Sequence, residues 1–235
     1  MADSSKICAT SKPCVVAIIL SAGCGSRFSK DKTKQKYEIL GKTVLRRTLL
    51  AFDKSCVSRI VIVHKADEGD FALAQCEGLS KPYTLCVGGR TRSESARLGF
   101  LASGECDTVM IHDGARCLIL PSQIDEIARV ATLYGAASAA CEITDTVKRI
   151  SDGRIASSVN RSELVTVQTP QAFAYSLYAR ALEMTDDGED ITDDNMRVER
   201  AGATVVPVFI GKNNIKITTP EDIKLCEYIL GCTEE

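Results

Sequence analysis

Six consecutive apolar residues, Val15-Val-Ala-Ile-Ile-Leu20, stand directly before a polar loop that carries two glycines. A strand wetted on one face alternates apolar and polar side chains, so an unbroken run of this kind needs cover on both faces. Short β-rich runs recur at Arg59-Ile-Val-Ile-Val63, Tyr83-Thr-Leu-Cys-Val87, Thr108-Val-Met-Ile-His112 and Ala137-Ser-Ala-Ala-Cys141, each followed by a polar or glycine turn. Helical patterns lie between them. One runs from Val44 to Phe52, and Thr91-Arg-Ser-Glu94 has the spacing of a capping box that starts a second. Pro121-Ser122 opens a third toward Gly135, and Thr219-Pro220 opens the last. Strand and helix in alternation predict an α/β fold with a doubly wound, mainly parallel sheet, whose ligands bind at the carboxyl ends of the strands.

One segment breaks the alternation. Thr146-Val-Lys-Arg-Ile150 and Arg154-Ile-Ala-Ser-Ser158 flank Ser151-Asp152-Gly153, which predicts a protruding β-hairpin arm within about residues 142–165. An isolated two-stranded hairpin is marginal in water, so the arm is expected to pack against its copy in a second subunit, making a homodimer. Residues 1–13 are polar and aperiodic and are expected to form a flexible terminus, with residues 14–232 as a single domain.

A net charge of −2 offers no general attraction for nucleic acid or anionic membrane, so phosphate recognition must come from locally placed Lys and Arg. No apolar run approaches the roughly 20 residues needed to cross a bilayer. The first apolar run imitates a signal peptide, but cleavage after it would discard the first core strand. Eleven cysteines scattered from Cys8 to Cys232 contain no Cys-x-x-Cys pair, and only His64 and His112 could add imidazoles, which disfavours zinc. A reducing compartment, the cytoplasm, is expected.

The loop after the first strand, Ser21-Ala22-Gly23-Cys24-Gly25-Ser26-Arg27-Phe28, continues as a polar run to Lys34. Glycines let backbone amides approach phosphate oxygens, and Arg27 and Lys34 add positive charge, which together suit a triphosphate. A plain turn with a solvated cationic face would need the same residues. A dinucleotide-binding dehydrogenase is disfavoured, because Phe28 replaces the third glycine and His64 stands where an acidic residue should end the second strand. Gly41-Lys42-Thr43 lacks the glycine five residues earlier that a Walker loop requires.

The glycine loop followed by Lys34-Gln35 resembles the signature of the 2-C-methyl-D-erythritol 4-phosphate cytidylyltransferases. Gly88-Gly89-Arg90-Thr91-Arg92-Ser93-Glu94-Ser95 is similar to that family's Gly-Gly-x-x-Arg-x-x-Ser loop, and His112-Asp113-Gly114-Ala115-Arg116 to its His-Asp-x-Ala-Arg element. Asp145-Thr146, Arg161, Thr169-Pro170-Gln171, Thr192-Asp193 and Asn214-Ile215-Lys216 follow in the family's order. The resemblance implies a Rossmann-like nucleotidyltransferase fold and CTP as a substrate. It implies CTP contacts from Ser21, Ala22, Gly23, Gly25, Gly88, Gly89, Ser95 and Ala115. Arg27 and Lys34 would stabilise the pentavalent transition state, where such donors are commonly worth about 2 to 4 kcal/mol each. Arg161 and Lys216 would position the phosphate of a sugar-alcohol phosphate acceptor. Asp113, Arg116, Thr169 and either Thr146 or Thr144, with Thr146 preferred, would hold its hydroxyls.

The charge of the two substrates calls for Mg²⁺ held mainly by the triphosphate, with Asp113 either a protein ligand or a partner of the groups around the ion. A phosphate monoester is already anionic near neutral pH, so the attacking oxygen needs no protein base. Bringing two anions together is work for Arg, Lys and a divalent cation. The chain departs from the family at Thr33 and Cys117, where proline is usual, and these changes are expected to loosen the loops holding Lys34 and Arg116. It departs also at Asn160 and Asp194, which bear on the choice of acceptor. A ribitol 5-phosphate cytidylyltransferase is the nearest alternative, disfavoured by Val159-Asn160-Arg161-Ser162 with Thr169-Pro170-Gln171. A non-catalytic nucleotide-binding protein is disfavoured by four cations at reaction positions.

Overall fold

The computed structural model describes residues 12–23, 33–185 and 191–232. The expected flexible terminus lies, but for its last two residues, outside the described residues, as do Gly25 and Arg27.

Every expected strand forms. The strands are β1 (Val15–Leu20), β2 (Glu38–Ile39), β3 (Lys42–Thr43), β4 (Arg59–His64), β5 (Tyr83–Val87), β6 (Thr108–Asp113), β7 (Ala136–Glu142), β8 (Lys148–Ser151), β9 (Arg154–Ser158), β10 (Val165–Ala174) and β11 (Val206–Phe209). The helices are α1 (Val44–Asp53), α2 (Gly69–Ala74), α3 (Arg92–Ser103), α4 (Pro121–Tyr134), α5 (Tyr175–Met184), α6 (Asp194–Arg200) and α7 (Pro220–Gly231). Seven strands make the main sheet in the order β11-β7-β10-β6-β1-β4-β5. Neighbours pair in parallel except at β10, which is antiparallel to both β6 and β7.

The unbroken apolar run of β1 is explained by its two faces. Val15, Ala17 and Ile19 pack with Leu45, Leu49 and Phe52 of α1 and Ile124 and Ile127 of α4. Val16, Ile18 and Leu20 point the other way, into Ala96 and Phe100 of α3, Tyr178 of α5 and Val198 of α6. On that second face α3 lies so close that a Cβ on Gly99 would stand 2.4 Å from Ile18 Cγ2.

Four strands, β2, β3, β10 and β11, were not among those expected; the first two are only two residues long, and β10 and β11 each contain a proline, which argues against a strand when only sequence is read. Within β10 the register shifts between Val167 and Gln171, so Pro170 sits in a bulge where no ladder donor is needed. The capping box of α3 is also modified. Thr91 Oγ1 accepts from Glu94 N–H at 3.0 Å as expected, but the Glu94 carboxylate accepts from Arg90 N–H at 2.8 Å and not from the cap residue.

The hairpin forms as β8 and β9, turning through Asp152 and Gly153, both with positive φ. Every residue of its two strands is exposed, and Ile150 and Ile155 face each other across the ladder at 76% and 72% exposure. Among the described residues no helix is long and apolar enough to cross a membrane.

Candidate active site

The loops that follow the parallel strands are stitched together at their starts. Ser21 N–H donates to Val63 O at 2.7 Å, Gly88 N–H to His64 O at 2.8 Å, and Gly114 N–H to Leu20 O at 2.9 Å. Gly88 has a packing reason to be glycine, since a Cβ there would stand 2.4 Å from Ala22 Cβ and 3.1 Å from Val63 Cγ1. Ser95 fixes the same turn: its hydroxyl accepts from Gly89 N–H at 3.1 Å and donates to Thr91 O at 2.8 Å.

These loops open onto a cleft of about 310 Å³. Of the residues expected at the nucleotide or its reacting phosphate, Ala22, Gly23, Lys34, Gly89, Ser95 and Ala115 line it, joined by Asp113 and Lys216, which were expected at the acceptor; Ser21 and Gly88 support its floor. Thr33 does more than replace a proline before Lys34, because its hydroxyl donates to the buried Glu68 carboxylate at 3.1 Å. The expected loosening there is therefore offset by a side-chain anchor. Cys117 is likewise held, buried in a cluster with Ile217 and Cys226.

A second cavity of about 150 Å³ adjoins the first and shares Arg92, Asp113 and Lys216 with it, adding Arg116, Gln168, Thr169, Gln171, Thr192 and Asp193. The Asn214-Ile215-Lys216 loop is tied to this cavity by three bonds. Arg116 Nη1 donates to Asn214 O at 2.8 Å, and Asn214 Nδ2 donates to Thr169 O at 2.8 Å and to Gln168 Oε1 at 2.9 Å.

Asp113, the last residue of β6, is the electrostatic centre. Its Oδ2 lies 2.8 Å from Lys216 Nζ and 3.5 Å from Arg116 Nε, and its Oδ1 lies 3.4 Å from Arg92 Nε. Burial pushes this carboxyl up, but Arg92, Lys216 and Arg116 together outweigh burial and hold it well below the usual carboxylate range. Asp113 is also the one carboxylate among the residues lining the larger cleft, and among the described residues no three His, Cys, Asp or Glu side chains cluster as a metal cage.

Thr169 lines the second cavity from behind Asp113 and is almost wholly buried. Its Oγ1 accepts from Asp113 N–H at 3.0 Å and lies 3.2 Å from His112 Nδ1. His112 Nε2 faces Arg116 O at 3.1 Å, and a carbonyl only accepts, so Nε2 carries the proton and Thr169 donates to Nδ1. Burial lowers the His112 pKa to about 4, which keeps the ring neutral near pH 7. Both nitrogens are engaged inside the protein.

Arg161 and Thr146 lie elsewhere. Arg161 lines a pocket at the base of the arm with Glu142, Thr144, Ser162, Leu164 and Phe209, and its Nη1 donates to Thr144 O. Thr146 is exposed at the start of the arm. Sequence reading gave no role to Arg92 or Gln171 and took Asp194 only as a departure bearing on the acceptor; the structure gathers all three at the second cavity or its wall. Arg92 lay inside a quoted loop and Asp194 stood out as a departure, but their pairing spans 102 residues and no local pattern exposes it.

The family model described as 2-C-methyl-D-erythritol 4-phosphate cytidylyltransferase matches residues 15–232. A curated relative of that name from Bacillus licheniformis is 38% identical over 217 residues, covering 91% of this chain and 94% of the relative. One from Prochlorococcus marinus is 36% identical over 222 residues, covering 93% and 99%. The crystal structure of 4-diphosphocytidyl-2C-methyl-D-erythritol synthase from Anaerococcus prevotii is similar with a TM-score of 0.82 at 28% identity, covering 94% of this chain and all of that one.

Proposed function

The chain belongs to the 2-C-methyl-D-erythritol 4-phosphate cytidylyltransferase family, and on that premise we propose how its two adjoining cavities divide the reaction. It is a nucleotidyltransferase of isoprenoid precursor biosynthesis. It joins CTP and 2-C-methyl-D-erythritol 4-phosphate to give 4-diphosphocytidyl-2-C-methyl-D-erythritol and pyrophosphate.

In this reading CTP occupies the larger cleft, against Ala22, Gly23, Gly89, Ser95 and Ala115, with Ser21 and Gly88 shaping the backbone beneath. The acceptor occupies the smaller cavity, its hydroxyls near Asp113, Arg116 and Thr169 and its phosphate beside Lys216. An acceptor phosphate oxygen attacks the α-phosphorus of CTP, a new P–O bond forms, and the bond to pyrophosphate breaks. Charge on the equatorial oxygens is offset by Lys34, together with Arg27. No protein base is required, in keeping with a neutral His112 whose nitrogens are both engaged.

The observation that carries the reading is the sharing of Arg92, Asp113 and Lys216 between the two cavities, which puts cations where two anionic substrates must meet. One carboxylate in the cleft suits Mg²⁺ brought by the triphosphate and contacted by Asp113. When bound, the cation neutralises charge on the phosphates.

The arm at residues 142–165 belongs, in our reading, to a homodimer interface and carries Arg161 and Thr146 to the partner's acceptor site. The exposed Ile150 and Ile155 support that role. The nine described cysteines, all free, support a cytoplasmic protein; the single seven-stranded main sheet supports one domain over residues 14–232. The test is Mg²⁺-dependent pyrophosphate release from CTP, with methylerythritol phosphate and ribitol phosphate offered separately to wild type and Lys34→Ala. Release with the first acceptor only, abolished by a chelator and by Lys34→Ala, is expected. Release with ribitol phosphate alone would replace the acceptor, and none with either would leave a binding role.

A further inference from the structure

We propose that Asp194 is a positioning residue for this reaction, acting through Arg92 on the wall between the two cavities. The inference rests on the functional reading above and extends it to a residue that lines neither cavity. Arg92 is the first residue of α3 and borders both cavities. Its guanidinium is divided between two carboxylates: Nη1 donates to Asp194 Oδ2 at 2.8 Å, and Nε approaches Asp113 Oδ1 at 3.4 Å. The stronger contact is to the residue away from the chemistry.

Asp194 is built to hold that contact. It is fully buried, its Oδ1 accepts from Tyr178 OH at 2.6 Å, and its backbone N–H donates to Gln171 Oε1 at 3.0 Å. Gln171 Nε2 in turn donates to Asp193 Oδ2 at 2.9 Å, fixing the turn that starts α6. Tyr178 is buried in the core, so the carboxylate is braced from behind by the sheet-facing helix and from the side by β10.

The consequence concerns Asp113. Lys216 and Arg116 also share that carboxylate, and Lys216 is the group that takes the acceptor phosphate in the reading above. With the Asp194 carboxylate in place, Arg92 stays at the wall and leaves Asp113 Oδ2 to Lys216 and Arg116. Without that carboxylate, the Arg92 fork is drawn to the nearest anion, either Asp113 or a substrate phosphate, because a partly buried guanidinium gains by pairing. Either move displaces groups that must align two substrates, and misplacement of about 1 Å at a distance from the chemistry costs about 100-fold.

The experiment compares Asp194→Asn with Asp194→Glu by steady-state kinetics and melting temperature, using wild type in parallel. Asn keeps the size and loses the charge, whereas Glu keeps the charge and adds one methylene. A positioning role predicts kcat down about 100-fold in Asp194→Asn, KM for CTP within about 3-fold, and recovery to within about 10-fold of wild type in Asp194→Glu. A packing role predicts the reverse order, with Asn close to wild type and Glu impaired, and that order overturns the proposal. If Asp194→Asn does not fold, Tyr178→Phe carries the test, since it removes only the hydroxyl that braces Asp194. A drop in its kcat supports the proposal, and wild-type kcat overturns it. Wild type inactive with CTP and methylerythritol phosphate would instead overturn the functional reading.

Discussion

At the scale of single residues, His112 shows how burial converts a titratable group into a fixed strut. Its two nitrogens hold Arg116 O and Thr169 Oγ1, and its ring lies 5.0 Å from that of Phe52. The unfolded chain protonates this ring near 6.5 but the native protein only near 4, so the stability from its neutral burial is complete above 6.5 and is lost as pH falls toward 4. That loss is on the order of 3 kcal/mol. Denaturant midpoints measured from pH 7 to 4 are expected to fall in wild type and to flatten in His112→Asn. Asp113 acts in a lower window: its depressed pKa contributes stability present above 3.8 and lost below it, so acid sensitivity under that pH should persist in the variant. Gly88 offers a steric counterpart. Gly88→Ala places a Cβ 2.4 Å from Ala22 Cβ and moves the nucleotide loop, with an expected destabilisation of about 1 to 3 kcal/mol. A rise in KM for CTP should accompany the lower melting temperature.

Elements differ in how much of the molecule they need. β1 has its partners on both faces, which is why six apolar residues in a row are stable there and would be a liability anywhere exposed. The hairpin of β8 and β9 is the opposite case, with no residue of either strand buried. Its Ile150–Ile155 pair supplies an apolar surface that a second arm would cover. The double variant Ile150→Glu, Ile155→Glu is expected to sediment as a monomer while wild type sediments as a dimer, and a monomeric wild type at micromolar concentration would remove the arm from any interface.

For the whole molecule, the question is whether a complete site belongs to one chain. Lys216 borders the central cavities, whereas Arg161 lines a pocket at the base of the arm. If Arg161 serves the partner's site, Arg161→Ala and Lys216→Ala chains, each inactive alone, should regain activity on mixing. Half of randomly formed dimers are mixed, and each mixed dimer holds one intact site, so the expected recovery is about one quarter of wild type. No recovery would assign Arg161 to its own chain.

Much of this was legible in the order of residues. Short-range physics sets a strand's apolar run, a helix's cap and a glycine's turn, so β1, β4, β5, β6 and β7 and the starts of α3, α4 and α7 follow from local pattern. The motif-bearing loops follow too, because in such a sheet the ends of parallel strands share one edge. What local pattern could not carry was β10, whose proline is tolerated only because a bulge removes it from the ladder between β6 and β7. Nor could it carry the balance of charge around Asp113. Arg92, Arg116, Lys216 and Asp194 are ordinary polar residues along the chain. Folding brings Arg92 and Asp194 together from positions 102 residues apart, and burial there makes each charge depend on its partner.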